Sequence, residues 1–147
     1  MLELETIMTT DVVTISVDDN LDTARKLMFE NRIRHLPVVD AAEKLVGLIT
    51  ITNVLAATDS FLRDEDSKLH PEQIPVKEVM VSKLITVDEN IGMRQAAMFL
   101  ELHRIGCLPV VTDGKLIGIV TDTDFVGVAI NLLEQLEETE SSEFDYE

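Results

Sequence analysis

Thr121 and Asp124 sit three residues apart in GIVTDTD (118–124), where an apolar run led by Gly118 meets an apolar pattern of helical period. Thr-x-x-Asp at such a junction puts a hydroxyl at a helix N-cap and a carboxylate in the first turn, where both serve backbone N–H groups. The N–H groups left over at that end suit an anion. An earlier corner, GLITITN (47–53), repeats the shape with Thr50 and Asn53 in the places of Thr121 and Asp124. Neither corner is a catalytic constellation. No activated nucleophile or phosphate-gripping glycine loop accompanies them, and Asp122 and Asp124 have no identifiable partner acid or base. His35, His70, His103 and the single Cys107 lack the spacing of a zinc site. The chain is therefore expected not to be an enzyme, with no catalytic and no metal-binding residue.

Charge narrows the partners. The net charge of −16 argues against nucleic acid, which needs basic groups to displace its counterions. Seven acids and no base lie between Glu134 and Glu147, which leaves 21 acids against 12 bases elsewhere. No apolar run reaches the roughly 18 residues of a membrane span. The start MLELETIM has neither the basic flank nor the cleavage site of a signal peptide, so a cytoplasmic chain without membrane contact is expected. Cys107, inside IGCLPVV, reads as a buried, reduced thiol.

The elements that position these corners are duplicated. With a shift of 72, Met8 pairs with Met80, Thr14 with Thr86, and ENRIRHLPVV (30–39) with LHRIGCLPVV (102–111); with a shift of 71, Gly47 pairs with Gly118 and Thr50 with Thr121. Each copy reads as β-α-β-β-α. A β-branched stretch (VVTISV; LITVDE) precedes a helix with Leu21, Ala24, Leu27 and Met28, or Met93, Ala96, Ala97 and Leu100, on one face. Two continuous apolar strands follow, joined by polar turns, and then a second helix. The fold class is α/β of the α+β type, in two repeats at 1–57 and 77–133. A polar connector covers 58–76 and an acidic tail 134–147, of which the closing EFDYE (143–147) reads as frayed. One such unit exposes an apolar sheet face, and two bury those faces against each other about a pseudo-twofold axis.

These segments resemble the CBS domain, and their duplication resembles the tandem pair called a Bateman module. The likeness rests on IMTTDVVTISVDDNLDTARKLM, IRHLPVVD and GLITITNVL in the first copy, and on VMVSKLITVDENI, IGCLPVV and GIVTDTDF in the second. It covers about residues 5 to 130, and with no catalytic domain appended the chain looks like a stand-alone pair. The resemblance implies a regulatory module sensing AMP, ADP or ATP, with no obligatory cofactor. By this likeness Thr121 and Asp124 bond the ribose hydroxyls, as a short carboxylate accepting from a cis-diol can, and Gly118 allows close approach of the ligand. Val13, Thr14 and Ile33 would line the adenine slot with Ile119 as its floor. By symmetry Ile85, Thr86 and Ile105 would face Thr50 and Asn53. Arg34 and His35 match the position where basic groups reach phosphates, and they belong by sequence to the copy whose corner carries Asn53. The second copy has Gly106 and Cys107 there, so each copy keeps half of the constellation.

The family likeness also implies a homodimer, to which the apolar face from Phe125 to Leu136 is suited, and a regulated protein partner as yet unidentified. The alternative is an interaction or assembly protein in which Asn53, Gly106 and Cys107 mark degraded nucleotide sites.

Overall fold

The structure, a computed structural model, describes residues 3–63 and 70–145. A strand β1 (Ile15–Ser16) leads into helix α1 (Leu21–Asn31), then the hairpin β2 (His35–Val39) and β3 (Leu45–Thr50), then α2 (Ile51–Arg63). A short helix α3 (Val76–Val79) precedes α4 (Met93–His103), the hairpin β4 (Cys107–Thr112) and β5 (Lys115–Thr121), and α5 (Asp122–Asp145). The mixed α/β class and the two-unit plan are those expected.

β1 lies parallel to β2, which pairs antiparallel with β3. Only two residues of VVTISV join the sheet, because pairing with β2 stops at Val38 and Val39. In the second unit the equivalent contact is a single parallel bridge between Val87 and Val110. Both hairpins carry an irregularity at matching places, Val38/Val39 and Val110/Val111. Leu36, Val38 and Ile49, and likewise Leu108, Val110 and Val120, are wholly buried, as continuous apolar strands covered on both faces require.

α1 begins where Asn20 Oδ1 accepts a 2.9 Å bond from the Thr23 N–H. It buries Leu21, Ala24 and Met28, and α4 buries Met93, Ala96 and Leu100. Each helix ends on an arginine in the left-handed region, Arg32 at φ 54° and Arg104 at φ 52°.

The two units exchange their leading segments. Thr9 and Ile119 trade backbone bonds of 2.9 and 3.0 Å, while Val81 and Leu48 trade bonds of 2.8 and 2.9 Å. Leu4 lies in the core of the second unit, with Ile7 and Met8 packed beside it. Val76 lies in the core of the first, with Ile74, Val79 and Met80 against it. The end of the segment expected to be a polar connector thus closes a core, and its beginning continues α2 as far as Arg63; residues 64–69 lie outside the described residues. The acidic tail, expected to fray only over 143–147, is helical to Asp145. Nothing between Val128 and Asp145 is Gly or Pro, so no residue there ends the helix.

The exchange explains two glycines. A Cβ on Gly118 would stand 2.9 Å from Met8 Sδ and 3.1 Å from the Thr9 carbonyl oxygen, and one on Gly47 would overlap Met80 Sδ. The space over Gly118, expected to admit a ligand, instead seats a methionine of the exchanged segment.

Candidate functional site

At each strand-to-helix corner the backbone closes the same way. The Ile51 N–H donates to the Arg34 carbonyl at 2.9 Å, and the Asp122 N–H donates to the Gly106 carbonyl at 3.0 Å. Thr50 then caps α2 and Thr121 caps α5. The Thr121 N–H donates to Asp124 Oδ2 at 2.8 Å, its hydroxyl donates to the same oxygen at 3.2 Å, and the Asp124 N–H donates back to Thr121 Oγ1 at 3.4 Å. Asn53 Oδ1 receives the equivalent bonds from Thr50 at 2.9 and 2.8 Å, and the Asn53 N–H donates to Thr50 Oγ1 at 3.1 Å. These are reciprocal capping boxes. The cap uses one carboxylate oxygen of Asp124. Oδ1 has no hydrogen bond among the described residues.

A cleft of about 710 Å³ opens over the second corner. Thr121, Asp122, Thr123 and Asp124 form one wall and Ile119 lies among them. The opposite side comes from the first repeat: Val12 and Val13 from the stretch before β1, and Arg32, Ile33, Arg34 and His35 from the turn between α1 and β2. Thr50, Ile51 and Thr52 close the end, with Thr9 and Asp11 at the lead-in segment.

Arg34 and His35, assigned from sequence to the corner with Asn53, therefore line the same cleft as Thr121 and Asp124. The cause is the side-by-side placement of the two hairpin starts. His35 pairs with Thr50 and Cys107 with Thr121, and a Cβ on Gly106 would stand 2.9 Å from His35 Nε2. Gly106 is the space that the imidazole of the other repeat occupies.

Of the residues expected at a ligand site, Val13, Ile33, Arg34, His35, Thr50, Ile119, Thr121 and Asp124 line this cleft. Thr14, Asn53, Ile85, Thr86 and Ile105 are not among its lining residues. Thr14 and Thr86 are exposed at equivalent positions, Ile85 and Ile105 pack on the second core, and Asn53 is engaged in its cap. Asp11, Val12, Arg32, Asp122 and Thr123 are among the lining residues that were not expected there. Asp122 and Thr123 stand inside the GIVTDTD corner, where the sequence could have added them.

Burial holds the His35 imidazole below its ordinary pKa, and the positive charge of Arg34 adds to that, while Asp122 pulls the other way. Burial, with the negative charge of Asp122 as a second cause, pushes the Cys107 thiol up to about 12, so it is inert at neutral pH. No group of three or more potential metal-ligating side chains occurs among the described residues. No described helix is long and apolar enough to cross a membrane. The cleft brings carboxylate and hydroxyl acceptors, basic side chains and apolar side chains together, with His35 near Asp122.

The sequence profile of the CBS domain matches residues 4–60 and 76–131. A CBS domain-containing protein of Dictyostelium discoideum is 33% identical over 132 residues, 87% of this chain and 91% of that protein; of two longer relatives the chain spans 42% and 23%. Among solved structures, a putative acetoin utilization protein from Vibrio cholerae superposes with a TM-score of 0.82 at 39% identity, covering 93% of this chain and 98% of that one. The CBS pair of protein MJ0100, in complex with 5′-methylthioadenosine and S-adenosyl-L-methionine, gives 0.78 at 25%, covering 89% and 98%. CBSX2 in complex with AMP gives 0.76 at 28%, covering 90% and 98%. With two matched domains, exchanged leading segments and the paired corners, the chain belongs to the CBS domain family as a tandem pair.

Proposed function

We propose that this pair is a cytoplasmic regulatory module that senses an adenine nucleotide, AMP, ADP or ATP, in the cleft between its repeats and acts as a homodimer on a regulated protein. The observation that carries the reading is the meeting of Thr121 and Asp124 with Arg34 and His35 in one cleft. Asp124 Oδ1 and the Thr121 hydroxyl take the ribose hydroxyls, the apolar wall of Val13, Ile33 and Ile119 takes the base, and Arg34, His35 and Arg32 take the phosphate. The relatives bound to AMP and to S-adenosyl-L-methionine support the adenosyl class. Because the ligand touches both repeats, occupancy favours one relative arrangement of them, and only that differential affinity carries a signal.

A thermal-shift panel with AMP, ADP, ATP, NAD, S-adenosylmethionine and GMP tests this. An adenosyl ligand at about a hundred times its Kd stabilises by about 2.7 kcal/mol, and Asp124→Ala loses the response. No shift with any adenosyl compound removes the reading.

A further inference from the structure

The helix end at the second corner is filled by acceptors of the chain itself. An α-helix leaves its first N–H groups without an internal partner, and at the start of α5 these belong to Thr121, Asp122, Thr123 and Asp124. The Thr121 N–H donates to Asp124 Oδ2, the Asp122 N–H to the Gly106 carbonyl and the Asp124 N–H to Thr121 Oγ1. The Thr123 N–H donates to Asp122 Oδ1 at 2.8 Å. The end expected from sequence to suit an anion therefore already holds one, the Asp122 carboxylate. At the first corner Ile51 stands in that place and carries no such group.

The other oxygen, Asp122 Oδ2, has no hydrogen bond among the described residues. A Cβ on Gly106 would stand 3.7 Å from it and 2.9 Å from His35 Nε2, so carboxylate and imidazole flank one point in the cleft. The charge of Asp122 is felt there. It opposes the lowering of the His35 pKa by burial and adds to the rise that burial gives Cys107. Asp11, Asp122 and Asp124 line the cleft against Arg32, Arg34 and a histidine that burial holds toward its neutral form. Two arginines match the double charge of a monophosphate. A second or third phosphate brings charge that no further base of the cleft lining meets, and a fixed carboxylate stands against it.

We infer that Asp122 is a specificity-determining residue that limits the negative charge the cleft admits, so that affinity falls in the order AMP, ADP, ATP. Of the three acids it is the one held by the Thr123 N–H with its second oxygen beside His35. The inference deepens the proposed function and rests on it, because it takes the phosphate to lie near His35.

The test is calorimetric titration of adenosine, AMP, ADP and ATP, without divalent cations and at low ionic strength, into wild type, Asp122→Asn, Asp122→Glu and Glu140→Gln. Asn keeps an amide oxygen for the Thr123 N–H, as Asn53 keeps one for Thr50. Glu140 lies about 27 Å along α5 from Asp122 by helical rise and controls for the loss of one charge elsewhere on the chain. Wild type, Asp122→Glu and Glu140→Gln are expected to bind ATP at least about tenfold more weakly than AMP. Asp122→Asn is expected to narrow that ratio to within about threefold while binding adenosine as wild type does, which also shows that it is folded. ATP held as tightly as AMP by wild type overturns the inference. So does a ratio unchanged in Asp122→Asn, or changed as much in Asp122→Glu or Glu140→Gln, and in each of these cases the nucleotide reading stands. No binding of any of the four compounds removes that reading and the inference with it.

Discussion

Asp124 caps α5, and a conservative change separates that cap from its proposed part in ligand binding. Asn53 makes the same cap at the other corner with its amide oxygen, so Asp124→Asn keeps the helix end while replacing a charged acceptor with a neutral amide. Stability of the free protein is expected to stay within about 0.5 kcal/mol of wild type, whereas Asp124→Ala loses about 1 kcal/mol with the cap. Adenine-nucleotide affinity in Asp124→Asn is expected to fall about tenfold, the difference between a charge-assisted and a neutral bond. Equal affinity by calorimetry would leave Asp124 as a cap alone. His35 adds a pH dependence. Its folded pKa lies below the ordinary 6.5, so as pH falls through 6.5 the unfolded chain binds a proton that the folded chain refuses, and stability is lost between that value and the folded pKa. Chemical denaturation from pH 7.5 to 5.5 is expected to show this loss reduced in His35→Gln. If the proposed nucleotide sets its phosphate beside His35, the imidazolium is favoured, and binding is expected to take up a proton and tighten as pH falls, which calorimetry in buffers of different ionisation enthalpy measures.

The exchanged segments set which residues support which unit. Leu4 is 1% exposed in the second core, although it stands at the start of the first repeat. Leu4→Ala is expected to cost about 2–5 kcal/mol by denaturant unfolding, similar to Leu108→Ala; a loss under about 1 kcal/mol would mean that the leading segment is dispensable. The hairpins and helices were legible because LPVVD, LVGLIT and their copies are continuous apolar runs and because Ala24 and Ala96 mark one helical face. The exchange was not. Two copies of one unit present the same pairing edges, so alignment of the chain with itself cannot tell whether Thr9 pairs within its own repeat or with Ile119. For the same reason Arg34 and His35 were placed with Asn53, when the side-by-side hairpins bring them to Asp124. The helical length of α5 was hidden by its acids, which read as solvated tail although no residue there breaks a helix.

At the scale of the molecule, two imperfect copies bring acidic, hydroxyl, basic and apolar side chains into one cleft. Gly106 and Cys107, which as isolated residues suggest a lost phosphate site, make room for His35 and fill the core. The central claim is that one nucleotide is held by both repeats at once. Calorimetric titration of AMP, ADP and ATP into wild type, Asp124→Asn, Arg34→Ala and the double variant tests it most directly. The account predicts binding in one cleft that both single substitutions weaken, with the double variant weakened further on the same isotherm. Two separable sites, one sensitive only to Asp124 and the other only to Arg34, would contradict it, as would binding that neither substitution alters.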